Sequence, residues 1–359
     1  MIPHSRPTLG TEEKKACADV IDSLHLAQGR KVEEFEKAFC AFTGRRHAVA
    51  VSSGTAALHL TLVALGVGQK HQVIIPSYNC AAILQPIVAL RAKPVFADID
   101  PEDFNISAAD TARKIEKNTG AAVIPHLFGR AADMDKFTKL HIPLIEDGTQ
   151  ALGAKAGKKK VGCFGVASIF SFYATKMITT GEGGMVVTDS KKMADRVRDL
   201  RDYDKKETFR PRTNSKMTDL EAAMGLVQLA KLSGFIQKRR SIAARYAEVF
   251  GNAPVEIPRD ASSRDHVYFR YVVRVKGRKA LAWVKALNKG GIEAKPPIFK
   301  PLHRYLNRAD SSFPETAKAM AEAVSLPIFP AMTNEQFDCV RSECLRLLTD
   351  AGAKSYVAI

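Results

Sequence analysis

The chain has 359 residues, and its hydrophobic share of 46% and charged share of 26% are those of a folded globular protein, which excludes a disordered one. No apolar run reaches the ~20 residues of a membrane span, and the start M-I-P-H-S-R-P lacks the apolar core of a signal peptide, so we expect a cytoplasmic protein. The six cysteines form no C-x-x-C pair, which argues against a zinc site or a disulfide framework, and the formal net charge of +16 favours an anionic partner.

The first predicted elements are two helices. Apolar residues recur at helical spacing in E-E-K-K-A-C-A-D-V-I and in K-V-E-E-F-E-K-A-F-C-A-F-T-G, whose Gly44 is a typical helix C-cap. A short buried strand then turns at Ser52, Ser53 and Gly54 into a helix over residues 55–65. The N–H groups and positive dipole end at such a helix start can bind a phosphate, although a capping serine before a glycine also occurs without any ligand.

Short apolar strands alternate with helical spans from residue 73 onward: V-I-I-P, P-V-F-A-D-I-D, A-A-V-I-P-H-L-F-G, P-L-I-E-D, A-S-I-F-S-F-Y and G-M-V-V-T-D. This alternation predicts an α/β domain with a largely parallel sheet, and ligands of such sheets gather at the carboxyl ends of the strands. Asp147 follows one of these strands. Its carboxylate can bind a cationic ring nitrogen there, or it can cap the next turn.

Residues 171–184 read S-F-Y-A-T-K-M-I-T-T-G-E-G-G, with Lys176 as their one basic residue and no charge between Ser171 and Lys176. A desolvated amine has a lowered pKa and attacks carbonyl groups, so a Schiff base with pyridoxal phosphate explains this placement. The glycines that follow leave room for a flat ring beside the amine. The structural alternative is a lysine that reaches solvent from a strand end.

Residues 190–245 are highly charged and predicted to be helical, with D-L-E-A-A-M-G-L-V-Q-L-A-K-L as the clearest amphipathic stretch. A composition change at Ser233 and Gly234, together with the chain length, predicts two domains. The large domain spans residues 1–233 with its N-terminal lead-in, and a smaller C-terminal α+β domain spans residues 234–359.

The second domain is predicted to contain two or three strands (Y-F-R-Y-V-V-R-V), a helix around Trp283 and the loop K-P-P-I-F-K-P-L-H. Thr333 and Gln336 form a capping box for a last helix. The candidate substrate contacts lie in loops: Lys295, His303, residues 202–212 and the N-terminal Q-G-R. For His303, a purely structural role in its loop is as good an interpretation as a substrate contact.

Several motifs occur in a fixed order along nearly the whole chain: P-H-S-R-P, Q-G-R-K-V-E-E-F-E, S-S-G-T-A-A-L-H-L, P-H-L-F-G, I-E-D-G-T-Q-A-L-G-A, S-F-Y-A-T-K-M-I-T-T-G-E-G-G-M-V-V-T, N-S-K-M-T-D-L-E-A-A-M-G-L-V-Q-L and S-L-P-I-F-P. Together they resemble the DegT/DnrJ/EryC1/StrS family of pyridoxal-phosphate sugar aminotransferases. The resemblance implies the aspartate aminotransferase type of fold (fold type I), with a mainly parallel sheet in the large domain, and pyridoxal 5'-phosphate as cofactor.

The resemblance also implies roles for individual residues. It makes Lys176 the Schiff-base lysine that shuttles the substrate proton, and Asp147 the partner that keeps the pyridinium nitrogen protonated. The further cofactor-binding positions that it implies are Gly54, Thr55 and Ser171 at the phosphate, Gln150 beside the ring, Cys80 at the ring face, and Asn214 at the phosphate of the neighbouring subunit. The last position implies a homodimer with shared active sites.

Three positions depart from the family pattern. In P-S-Y-N-C, Cys80 stands where the family usually places an aromatic residue against the ring, and either this soft thiol or a shifted Tyr78 can supply the ring face. The usual N-x-R segment ends in Lys216, a point charge in place of a forked guanidinium. Gly148 stands where alanine is common, which we interpret as local backbone freedom.

The expected activity is therefore that of a transaminase, which moves an amino group, from glutamate, onto a keto group of a nucleotide-diphosphate sugar in amino-sugar biosynthesis. The basic charge suits a diphosphate, and no nucleic-acid or membrane partner is expected. One alternative is a sugar dehydrase of the same family, in which histidine replaces the lysine; Lys176 argues against it. The other is a pyridoxal-binding regulatory protein without turnover, against which Lys176, Asp147 and Ser171 all argue.

Overall fold

The fold is that of a computed structural model. The structure describes residues 1–355 except 252, 259–262, 276, 278 and 279, and it describes side chains as far as residue 349. Among the helices in this described part, none is long and apolar enough to cross a membrane.

Strands and helices alternate along most of the described chain. The strands are β1 (His47–Val51), β2 (Gln72–Pro76), β3 (Lys93–Ala97), β4 (Thr119–Pro125), β5 (Leu144–Asp147), β6 (Lys155–Ala156), β7 (Lys159–Lys160), β8 (Ala167–Ser171), β9 (Gly184–Thr188), β10 (Val255–Glu256), β11 (Tyr271–Val275) and β12 (Ala323–Leu326). The helices are α1 (Thr11–Asp22), α2 (Arg30–Thr43), α3 (Gly54–Ala64), α4 (Leu84–Ala89), α5 (Ala108–Arg113), α6 (Met134–Thr138), α7 (Lys191–Leu200), α8 (Asp219–Phe250), α9 (Ala280–Lys289), α10 (Leu302–Tyr305), α11 (Pro314–Glu322) and α12 (Asn334–Ser355).

A seven-stranded sheet in the order β1-β9-β8-β5-β4-β2-β3 forms the centre of the larger part of the molecule. The neighbours from β8 to β3 pair in parallel, and β9 pairs antiparallel with β8 and β1. The predicted, largely parallel sheet is therefore confirmed. Because parallel strands end at the same edge, the carboxyl ends of β4, β5 and β8 lie side by side.

Apolar side chains cover both faces of this sheet. Successive residues of a strand point to opposite faces, so Ile169 of β8 packs with residues of α3 and α7, whereas Phe170 packs under α2. The ring of Phe170 lies 5.1 Å from that of Phe39, measured between centroids. Burial on both faces explains why these strands are continuous apolar runs in the sequence.

The predicted helices are confirmed with one exception. α1, α2 and α3 occupy the predicted stretches. The prediction that residues 190–245 are helical throughout is wrong, because residues 201–218 between α7 and α8 form no helix. Pro211 has no N–H for a helical hydrogen bond, and an ion pair of 3.0 Å between Arg212 and Asp199 of α7 holds the segment instead.

A smaller unit forms around the three-stranded antiparallel sheet β10-β11-β12. Aromatic residues from α8, β11 and α12 fill its core: Tyr246, Tyr271 and Phe337. The predicted capping box of the last helix is present, since Thr333 and Gln336 exchange hydrogen bonds of 3.1 and 3.2 Å. α8 runs through residues 233 and 234 without a break, so one helix joins the two units, and a domain boundary at this point stays a prediction.

Glu146, in β5, is a fully buried carboxylate. It accepts hydrogen bonds from the N–H groups of Gly162 at 2.8 Å and Gly165 at 2.9 Å, and from the Ser168 hydroxyl at 2.9 Å. It also lies 3.3 Å from Nε2 of His126, which carries the ring proton because Nδ1 accepts a backbone N–H. Burial alone would raise the pKa of Glu146, but these hydrogen bonds outweigh burial and hold the pKa below its usual value.

We expect Glu146→Gln to destabilise the fold at pH 7 by about 3 kcal/mol, because an amide leaves several of these buried donors without an acceptor. The folded-state pKa of Glu146 is lowered, so its contribution is present above the unfolded value of about 4.3 and is lost as the pH falls below it. The difference in urea unfolding midpoint between wild type and variant should therefore shrink from pH 7 to pH 4.

Glu248→Gln, at an exposed site on α8, is the control, and its unfolding midpoint should differ little from that of wild type at either pH. Equal midpoints for Glu146→Gln and wild type at pH 7 would contradict this anchor role.

Candidate active site

A cavity of about 220 Å³ lies where β5 and β8 end and α3 begins. Seven of the eight residues predicted to bind the cofactor line it: Gly54, Thr55, Cys80, Asp147, Gln150, Ser171 and Lys176. These residues come from four separate stretches of sequence, and the parallel arrangement of the strands brings them together. Their individual roles stay predictions.

The N-terminus of α3 forms one end of the cavity. Ser53 is the N-cap, and its hydroxyl accepts the N–H of Ala56 at 3.1 Å. A Cβ atom on Gly54 would lie 2.8 Å from Cβ of Ser171. A larger residue at position 54 would therefore push the start of α3 away from the end of β8. Thr55 exposes its side chain beside them. The first turn contains no acidic residue, and its N–H groups and hydroxyls suit an anion.

Lys176 lies in the turn that follows β8, and not on the strand itself. The residue is partly exposed, but its ammonium lies inside the protein, 5.3 Å from the ring centroid of Phe269. Burial lowers the pKa of Lys176; interactions with Cys80 and Asp147 oppose the shift, and the positive charge of Arg270 adds to it. The amine is therefore more readily deprotonated than an ordinary lysine, which is what a nucleophile or a proton acceptor requires.

Asp147 is buried at the cavity wall. One of its oxygens accepts the N–H of Thr149 at 3.0 Å, so the aspartate does cap the next turn, as the structural alternative predicted. The other oxygen makes no hydrogen bond within the described residues and remains available to a ligand. The capping contact orients the carboxylate, and the two interpretations of Asp147 are compatible.

The side-chain amides of Asn79 and Gln150 line the same cavity. Nδ2 of Asn79 is buried and has no hydrogen-bond partner among the described residues, while Oδ1 accepts the N–H of Cys80 at 2.7 Å. Oε1 of Gln150 accepts the N–H of Phe128 at 2.9 Å, which fixes the orientation of that amide. A buried donor without a partner costs free energy, so a ligand acceptor in this cavity would stabilise the site.

The structure decides between two interpretations at the ring-face position. Cys80 lines the cavity, whereas Tyr78 is fully buried away from it, with its ring 5.9 Å from that of Phe104 and nearly parallel to it. Tyr78 therefore does not supply a face for the ligand. The interpretation of Gly148 as local freedom is also wrong, because a Cβ atom there would lie 2.4 Å from the ring of Phe170, and the glycine makes room for that ring.

Asn214 does not line this cavity. Its side chain is exposed, in the segment between α7 and α8. Lys216, two residues later, forms an ion pair of 2.9 Å with Asp202. Asn214 therefore lies outside the cavity of its own chain, and its contact with the cofactor phosphate of a neighbouring subunit stays a prediction.

His303 is fully buried, so the structural interpretation of this residue is the one that the structure supports. One ring nitrogen is hydrogen-bonded to the hydroxyl of Ser77, and the other lies 2.9 Å from the carboxylate of Asp310. With both nitrogens engaged, the ring has none left for a substrate. It connects the loop after β2 to α10 instead. Lys295, the other predicted contact, forms an ion pair of 2.7 Å with Glu293.

Arg270, just before β11, is a cation near the site that the sequence analysis missed: it does not line the cavity, but it lies beside Phe269, the ring that Lys176 faces. Its guanidinium donates to the carbonyl of Pro297 at 2.7 Å and lies 5.6 Å from the ring centroid of Phe269. Burial lowers the pKa of Arg270. The available signal was an arginine inside the apolar run Y-F-R-Y-V-V.

Known proteins resemble this chain over nearly its whole length. The DegT/DnrJ/EryC1/StrS aminotransferase family matches residues 7–344. GDP-perosamine synthase of Vibrio cholerae is 33% identical over 353 residues, which are 94% of this chain and 96% of that protein. The crystal structure of the aminotransferase TlmJ from Streptoalloteichus hindustanus has a TM-score of 0.92 at 29% identity and covers 99% of this chain and 100% of its own. Helicobacter pylori PseC, an aminotransferase involved in the biosynthesis of pseudoaminic acid, has a TM-score of 0.91 at 27% identity and covers 97% and 99%. The predicted fold and the resemblance are confirmed.

The lowered pKa of Lys176 predicts unusual reactivity in protein freed of any cofactor. Acetylation by acetic anhydride requires the free amine, so labelling of Lys176 should reach its plateau at a lower pH than labelling of the exposed Lys14. Because the charge of Asp147 raises the pKa of Lys176, Asp147→Asn should shift the Lys176 curve further towards low pH. Mass spectrometry of the labelled peptides measures both curves. Identical curves for the two lysines would refute the desolvation of Lys176.

Proposed function

Since the chain belongs to the DegT/DnrJ/EryC1/StrS aminotransferase family, we propose that it transfers an amino group to the keto group of a nucleotide-diphosphate sugar in amino-sugar biosynthesis. The observation that carries the proposal is Lys176, whose desolvated amine shares one cavity with the carboxylate of Asp147 and the N-terminus of α3. The name of the Vibrio cholerae relative contains a GDP-linked product, which supports a nucleotide-linked substrate. The net charge of +16 suits such a diphosphate.

The cavity residues fit pyridoxal 5'-phosphate. Its phosphate suits the start of α3 with Thr55 and Ser171, its ring nitrogen suits the available oxygen of Asp147, and the unpaired amide of Asn79 can donate to a ring substituent. Lys176 would hold the cofactor covalently through Nζ. When bound, the cofactor supplies a ring that withdraws the electron pair left by a departing substrate proton.

The residues of this chain then provide the groups that move and hold protons. Lys176, with its lowered pKa, accepts a proton from the substrate carbon and returns it, because its amine loses its own proton more readily than that of an ordinary lysine. The carboxylate of Asp147 would pair with the ring nitrogen and favour the protonated form of that nitrogen. Thr149 holds this carboxylate in place through its N–H, and Gln150 is held by the N–H of Phe128.

The amino donor in this proposal is glutamate. Arg270 is a partly exposed cation beside Phe269, the ring that Lys176 also faces, and the carboxylate of an amino acid would pair with its guanidinium. Cys80 lines the cavity and is smaller than an aromatic side chain, so its thiol would pack against the cofactor ring as a small polarizable group.

We expect borohydride reduction of the holoenzyme to leave the cofactor attached to Lys176, identified by peptide mapping. The purified enzyme, mixed with glutamate and a panel of keto-sugar nucleotides, should form an amino sugar on at least one of them, measured by mass spectrometry. Lys176→Ala should abolish product, whereas Lys14→Ala, on the exposed face of α1, should leave the rate unchanged. An adduct on another lysine, or turnover by Lys176→Ala, would overturn the proposal.

The exposed Asn214 is part of a second proposal, a homodimer in which this residue reaches the cofactor phosphate of the neighbouring subunit. Two inactive variants, Asn214→Asp and Lys176→Ala, should then complement each other. In a hybrid dimer, one site carries both defects and the other carries neither, so activity should return to a fraction of wild type. The carboxylate at position 214 is expected to inactivate because it repels a phosphate to which the amide donates.

Mixing differently tagged chains and measuring the mass of the dimers shows whether subunits exchange. If hybrids form and the mixture stays as inactive as its parents, the site lies within one chain and Asn214 has another role.

A further inference from the structure

A second cavity, of about 370 Å³, lies between loops of the large unit and the smaller C-terminal unit. Residues 101–104 and 127–130 form one side, and residues near β10 and β11 form the other. It shares no lining residue with the active-site cavity. The turn at residues 127–130 lies between the two cavities. Phe128 lines the second cavity, and its N–H donates to Gln150, which lines the active-site cavity.

Arg130 lines this second cavity and is only 6% exposed, yet its guanidinium makes no hydrogen bond or ion pair with any described residue. Its Nε is a buried donor without a partner. The other arginines that are buried to this degree in the described chain all bind backbone carbonyls: Arg45, Arg201, Arg239 and Arg274. A buried cation without a partner is costly, and the described residues supply none to Arg130, so a ligand anion would stabilise it.

The charges around Arg130 leave it uncompensated. Asp103, the buried acid in the cavity wall, is already engaged by Arg264 and by the N–H of Asn105. Two further acids of the lining, Glu102 and Glu256, have exposed side chains at the rim. Two more cations, Arg274 and Lys318, also line the cavity.

His266 adds no positive charge to this wall. Burial lowers the pKa of His266 to about 3, and the nearby charge of Arg130 contributes to the shift. The imidazole is therefore neutral at pH 7. The positive charges of the lining therefore reside on Arg130, Arg274 and Lys318, and of the two buried arginines Arg274 already donates to the carbonyl of Pro101.

Apolar side chains in the lining determine which uncharged part of a ligand the cavity can bury. Phe104, Phe128 and Val272 contribute to the walls, so the carbon skeleton of a small molecule can be buried beside the charged group. A volume of about 370 Å³ lies within the usual size range of small-molecule sites.

We propose that this cavity between the two units binds a small molecule through a carboxylate or phosphate group on Arg130, at a site separate from the active site. The proposal does not depend on the aminotransferase activity.

Thermal unfolding of the holoenzyme, in which the cofactor occupies its own phosphate site, tests the proposal. Orthophosphate and acetate are compared with chloride at equal ionic strength. At about 20 mM, the better of the two anions should raise the wild-type midpoint by about 2 °C relative to chloride. Arg130→Met should lose this rise, and in chloride it should unfold at or above the wild-type temperature, since it removes a charge without partners.

Arg341→Met is the matched control, because it removes an exposed arginine of α12 and should respond to the anions as wild type does. Arg130→Lys keeps the charge and should retain part of the response. If orthophosphate raises the midpoint more than acetate, the site binds a phosphate group; if acetate raises it more, the site binds a carboxylate. Equal responses of wild type and Arg130→Met, or no response of wild type to either anion, would overturn the proposal.

A second measurement does not depend on the folding of any variant. Selenate, a tetrahedral oxyanion, can be soaked into crystals of the wild-type holoenzyme and located by its anomalous scattering. A peak beside the guanidinium of Arg130 supports the site. Its absence at a concentration that labels other cationic sites contradicts it.

Discussion

The position of the active site depends on two consecutive carboxylates at the end of β5. Because successive side chains of a strand point to opposite faces, Glu146 points into the core and Asp147 into the cavity. The fully buried carboxylate of Glu146 accepts the N–H groups of the turn that leads into β8. The ends of β5 and β8 are therefore held together, and with them Ser171 and the turn that carries Lys176.

Charges taken out of water account for the chemistry of the cavity. Lys176 and Arg270 both have lowered pKa values because burial disfavours their charged forms, and Asp147 provides negative charge that opposes the shift at Lys176. Their arrangement suits an anionic cofactor and an anionic substrate, which would compensate the buried positive charge. Arg130 is a second buried cation. Arg239 is buried and donates to three carbonyls, whereas the Arg130 side chain has no partner among the described residues, and this difference points to an anionic ligand.

Much of the fold could be predicted from the sequence, since it depends on local patterns. Apolar runs of strand length, helix caps and the alternation of strand and helix predicted the parallel sheet. Seven of the eight predicted cofactor residues meet in one cavity, because the carboxyl ends of parallel strands share an edge. Residues 201–218 were predicted wrongly because a charged segment with few apolar residues carries no reliable periodicity.

The sequence alone thus established the α/β fold, the family and the set of chemically active side chains, all of which are encoded in short motifs. The folded structure alone decided which distant groups meet. His303 binds Ser77 across 226 residues of sequence, and Gly148 makes room for Phe170. Arg270 lies beside Phe269, the ring that Lys176 also faces, and Arg130 has no side-chain partner among the described residues. A contact between distant residues leaves no periodic trace in either segment, because it depends on how the units pack and not on local conformation.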